Sequence, residues 1–150
     1  MKIVFGLFIL FILSNECKQQ HSQASNLVQE KIMISYEAST RGFYERTWVT
    51  RDSVSFSTDR NLNDIVRSKC KIEDWDVLIS LLDEIDVKSL SKLEAPTKMH
   101  QVDGAAMATL TVEINCETFE TTIFDHGHPP KVISSLVKKV LSMKEMMAKQ

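Results

Sequence analysis

The sequence predicts an α+β domain, with an antiparallel sheet of about five strands in the chain order βββ-α-ββ-α and two amphipathic helices packed on one face. Three observations carry this reading. Apolar and polar residues alternate over 31–57 and again over 106–124, the period of half-buried strands. Apolar residues recur every three to four positions over 72–85 and 132–147, the period of helices. Short turn-forming pairs separate these runs.

Taken in order, Ile32, Ile34 and Tyr36 alternate with Lys31, Ser35 and Glu37 in a first strand. Arg41-Gly42 turns the chain into Phe43 to Thr50, where Tyr44 and Trp48 share one face and Phe43, Glu45, Thr47 and Val49 the other. Thr50-Arg51-Asp52 leads into Ser53 to Ser57, with Val54 and Phe56 between serines. Residues 58–69, with Asp59, Asn61, Asn63 and Asp64, read as a polar loop. The first helix then places Ile72, Trp75, Leu78, Ile79, Leu82 and Ile85 on one side. Glu73 and Asp74 put negative charge where first-turn N–H groups lack partners, and Cys70 can pack on Trp75 as a hydrophobic staple.

From Asp86 to Asp103 the pattern is irregular, with Pro96 excluding helix and Leu90, Leu93 and Ala95 crossing the core. Asp103-Gly104 marks a turn into a strand in which Ala106, Ala108, Leu110, Val112 and Ile114 alternate with Met107, Thr109, Thr111 and Glu113. A second strand of the hairpin sets Phe119, Thr121 and Ile123 against Glu120, Thr122 and Phe124. Asn115-Cys116 stands where such a hairpin usually carries Asn-Gly, because a type I′ turn needs positive φ at both central residues; either the cysteine is strained or the loop is longer. The last helix opens at Pro129-Pro130 and buries Val132, Ile133, Leu136, Val137, Val140, Leu141 and Met147.

This domain, residues 31–148, follows a leader. Lys2, the apolar run from Ile3 to Leu13 and the polar Ser14, Asn15 and Glu16 have the three-part pattern of a secretory signal. The run falls well short of the roughly 20 apolar residues of a transmembrane helix. Two processing routes are open. In one, residues 1–17 form the signal peptide and Cys17 carries lipid as the new N-terminus, which places the protein on a membrane of the bacterial envelope; in the other, cleavage after Ala24 releases a secreted or periplasmic chain. Residues 18–30, rich in Gln, Ser and Asn, read as a flexible tether.

Charge is balanced, with 18 basic and 20 acidic residues and no basic block able to track phosphates, so nucleic acid is not an expected partner. With Cys17 lipidated, Cys70 and Cys116 remain as a pair that a disulfide or two free thiols would explain equally.

Two segments could carry chemistry or binding. Asp125-His126-Gly127-His128 gathers a carboxylate and two imidazoles, a donor set that suits zinc, with His100 and Asp103 as possible neighbours. The same segment also reads as a strand-to-helix turn, with Gly127 left-handed. Arg41, Tyr44 and Trp48, with Asp103 in the later loop, make an aromatic and charged patch of the kind interfaces use, and Tyr44 and Trp48 lie away from the helices if Phe43 faces the core. No catalytic motif such as Gly-x-Ser-x-Gly occurs, and no cofactor is implied.

The order of Thr40-Arg41-Gly42-Phe43, Glu73-Asp74-Trp75, Asp103-Gly104-Ala105, a hairpin and Pro129-Pro130 resembles a broad class of small exported bacterial domains and lipoproteins of uncharacterised family, and over residues 31–143 it is similar, in order of elements and a few turn residues, to emfourin. Emfourin inhibits thermolysin-like metalloproteases. The resemblance implies a non-enzymatic domain that binds a protein partner in the envelope. Metal binding through Asp125, His126 and His128, and a structural envelope role, are the alternatives.

Overall fold

The computed structural model describes residues 31–147. The leader, Cys17 and the tether lie outside the described residues.

Seven strands form one antiparallel sheet: β1 (Ile32–Thr40), β2 (Phe43–Thr50), β3 (Ser53–Ser57), β4 (Val66–Lys69), β5 (Met107–Ile114), β6 (Glu117–Glu120) and β7 (Phe124–Asp125). Their spatial order is β4-β3-β2-β1-β5-β6, with β7 also pairing to β5. Helices α1 (Ile72–Asp83) and α2 (Ser134–Met147) complete an α+β architecture, and 3-10 turns at Val87–Lys92, Met99–Val102 and Lys131–Ile133 bridge the elements. Among the described residues no helix is long and apolar enough to cross a membrane.

The core lies between the sheet and the helices. Ile34, Tyr36 and Ala38 of β1 pair with Val112, Leu110 and Ala108 of β5, and all six are buried. Val49 and Val54 extend this layer across β2 and β3. Leu136, Val137, Val140 and Met143 of α2 close over it, with Trp75, Leu78 and Leu82 of α1 in the same cluster. Lys139 of α2 also reaches Asp74 in the first turn of α1 at 2.7 Å.

Two departures from the expected strands have clear physical causes. The segment read as a polar loop contains β4, whose Val66, Arg67, Ser68 and Lys69 pair with Phe56, Ser55, Val54 and Ser53. An edge strand covers little core, so its sequence need not alternate in hydrophobicity. The second change is a bulge. Thr111 pairs with Glu120 and Ala108 with Phe124, so two residues of β5 face three of the other strand, Thr121 to Ile123. Thr121 stitches the gap, its N–H donating to Leu110 O and its hydroxyl accepting from Leu110 N, both at 3.0 Å. The extra residue breaks the alternation: Phe124 is fully buried while Ile123, which strict alternation would put on the same face as Phe119, is 47% exposed.

Smaller corrections concern helix starts. Ile72 and Val132 were expected on the buried stripes but are largely exposed, because each precedes or opens the first full turn of its helix. The hairpin at Asn115-Cys116 is the tight form, with φ of 50° and 72° at the two residues. No disulfide joins Cys70 to Cys116. Cys70 follows edge strand β4, whereas Cys116 turns β5 into β6. Four inter-strand spacings, about 19 Å, separate those strands, and a bridge tolerates a Cα separation of only about 7 Å. Cys70 instead packs against the core, where burial pushes its thiol pKa up, the charge of Asp74 adding to the effect.

Candidate functional site

With both helices on one side, the second face of the sheet carries no helix among the described residues. The register orders this face into rows. One row runs Arg67–Ser55–Trp48–Ser35–Thr111–Glu120 from β4 to β6. A neighbouring row runs Ser57–Arg46–Glu37–Thr109. Trp48 is half-buried near the middle, with the Arg46 guanidinium 5.6 Å from its ring centroid and Arg67 Nε donating to Ser55 Oγ at 3.1 Å beside it. The small serines let these long side chains lie along the sheet, which leaves Ser55 and Ser57 fully covered. Arg46 Nε is buried without a hydrogen-bond partner among the described residues.

Tyr44 shares the face with Trp48, as period-two alternation requires. Its hydroxyl donates to Glu37 Oε2 at 3.3 Å, and Arg60 lies 5.1 Å from its ring centroid. Arg41 is exposed in the β1–β2 turn. Asp103 is also exposed, in a left-handed conformation at the end of a 3-10 turn, and lies toward the same end of the sheet because Met107 pairs with Ser39. The expected patch therefore divides between the open face, with Tyr44 and Trp48, and the loops at its end, with Arg41 and Asp103.

The Asp125 segment is organised differently from a metal centre. Asp125 is buried, and its two carboxylate oxygens accept from the Thr97 hydroxyl, Met99 N at 2.8 Å, His100 N at 2.7 Å and His100 Nδ1 at 2.6 Å. Burial alone would raise its pKa, but the donors Thr97, His100 and Met99 hold it well below the ordinary carboxylate range. His126 turns toward β1, where Tyr36 Oη lies 2.8 Å from its Nδ1, and His128 is exposed. Asp125 and His126 are thus engaged by different partners, and among the described residues no group of three metal-capable side chains forms. Gly127 takes the expected left-handed conformation, at φ 81°, so the turn reading describes this segment. A cleft of about 360 Å³ lies over it, bounded by Thr97, Met99, Gly104, Ala106, His126 and His128.

Beneath the helices is a buried polar group that sequence patterning did not reveal. Glu45, expected on the same face as Val49, lies there almost fully buried and pairs with Lys144 of α2, while His126 Nδ1 approaches its other oxygen at 3.9 Å. Lys144 Nζ also sits 4.9 Å from the Phe56 ring centroid, and the ring of Phe43 lies 5.8 Å from that of His126. Burial pushes the Tyr36 phenol far above its ordinary pKa, with Glu45 adding to the push against a backbone hydrogen bond from Gly127. Tyr36 therefore remains a neutral hydroxyl, and the cluster is a fastening between sheet, α2 and the β7 exit. Its one sequence signal is a glutamate at an inward position of β2.

The chain matches no protein-family model and no curated protein sequence.

Proposed function

We propose that this chain is a non-enzymatic, envelope-associated domain that binds a protein partner through the open face of its sheet. The observation that carries the reading is Trp48, half-buried at the middle of a helix-free face and flanked by Arg46 and Arg67. Trp, Tyr and Arg dominate the energetics of protein interfaces because they combine large contact area with directed polar groups. The export-type pattern of the leader and the position of Cys17 in the sequence support the envelope part of this reading. The resemblance to emfourin makes a thermolysin-like metalloprotease the first partner to assay.

Capture from envelope extracts with the mature protein tests the reading. Specific partners should be lost with Trp48→Ala and retained with His128→Ala, which changes an exposed residue off the sheet face. An unchanged partner set with Trp48→Ala would refute the assignment of the face. Mass spectrometry of the mature N-terminus tests the anchor: a diacylated Cys17 is expected, and a chain beginning at Ser25 would overturn it.

A further inference from the structure

We propose that the open sheet face pairs with the same face of a second copy of this chain, about a two-fold axis that runs parallel to the strands. The inference rests on the reading of this face as a protein-binding surface and names its occupant. It follows from how charge is distributed across the rows. Arg46, Arg67 and Lys69 lie on β2 and β4, on one side of the boundary between β2 and β1, while Glu37, Glu113 and Glu120 lie on β1, β5 and β6, on the other. Strand order runs β4-β3-β2-β1-β5-β6, so that boundary is the middle of the sheet.

A two-fold axis along this midline reverses the strand order of the facing copy without shifting positions along the strands. Arg67 in the outermost strand then meets Glu120 of the second copy, and Arg46 meets its Glu37. Trp48, one step from the midline, lies beside Trp48 of the second copy at the centre. A two-fold axis in the same plane but across the strands would set β4 on β4 and β6 on β6, placing like charges together. The charge pattern therefore selects one symmetry, and strands kept within about 30° of each other suit aligned packing of twisted sheets.

Size sets the expected strength. Five inter-strand spacings of about 4.8 Å and strands averaging roughly 20 Å give a face on the order of 500 Å² per copy. Doubled, this stands at the lower limit for specific association, so a weak, reversible dimer is expected.

Sedimentation of the mature chain carrying Cys17→Ser, which blocks lipidation, tests the proposal through Arg67→Glu and Glu120→Arg, both changes of exposed residues whose folding circular dichroism verifies. The wild type should dimerise, with the Trp48 emission shifting to the blue as concentration rises. Each variant alone should weaken self-association by at least tenfold, because it sets like charges opposite one another. An equimolar mixture of the two should restore a heterodimer, since both of its cross-pairs are again opposite in sign. Trp48→Ala should also be monomeric. A wild type that remains monomeric to about 1 mM, a dimer indifferent to Arg67→Glu, or growth beyond dimers through β4-to-β6 edge pairing would each overturn the proposal. Loss of envelope-protein capture with Trp48→Ala in a monomeric wild type would overturn the second-copy occupant alone and leave the binding face standing.

Discussion

Tyr36 Oη lies 2.8 Å from His126 Nδ1, joining the middle of β1 to the residue that follows β7. Tyr36 stays protonated, and an O–H donating to Nδ1 is the arrangement that puts the ring proton of neutral His126 on Nε2. Nitrogen-15 NMR should find that tautomer in the wild type. Tyr36→Phe should remove the preference and cost about 1 kcal/mol in urea unfolding.

Glu45 and Lys144 form an ion pair between β2 and α2 that is largely removed from water. Lys144→Met alone leaves a carboxylate uncompensated beneath the helix and should cost about 2 kcal/mol. Adding Glu45→Gln should recover part of that loss, so a double-mutant cycle in denaturant should show positive coupling. Strict additivity would mean that the pair does not fasten α2.

Asp64 closes the loop between β3 and β4 by accepting from the Ser57 hydroxyl, from Thr58 N and Oγ1, and from Asp59 N. The side-chain bonds from Ser57 and Thr58 lower its pKa to about 2. A carboxylate with a depressed folded-state pKa stabilises the fold above its unfolded value, near 3.8, and that contribution is lost as pH falls toward 2. Stability measured by denaturation across this window should therefore rise with pH, and Asp64→Asn should flatten the slope. Asp125 acts in the same direction, so part of the slope should remain.

Cys116 holds φ 72° in the β5–β6 turn, a region where a Cβ crowds the carbonyl. Cys116→Gly creates the Asn-Gly pair favoured in type I′ turns and should stabilise the protein by about 0.5–1 kcal/mol, net of the greater freedom of glycine in the unfolded chain. A rise in thermal midpoint without a change in hairpin register would confirm the strain; a fall would show that the cysteine side chain contributes more than its backbone costs.

Strands β1 to β3, both helices and the place of the β5–β6 turn were legible in the residues because local period and turn chemistry act over a few positions, whereas the cysteine leaves the tight form of that turn open. The α+β class follows from them, as does the placement of Tyr44 and Trp48 on one face. Long-range pairing decided the rest. Neither Ile123 nor Phe124 announces which one faces inward, since a single bulged residue opposite Thr109 and Leu110 reverses the choice. Val66 to Lys69 becomes a strand because β3 offers it an unpaired edge, and Asp125 is drawn inward by donors from residues 97–100. Arg67, Trp48 and Glu120 fall in one row across six strands, a relation set by hydrogen-bond register between segments far apart in the chain. Sequence periodicity says which way a side chain points; register, which depends on partners elsewhere in the fold, says what stands beside it.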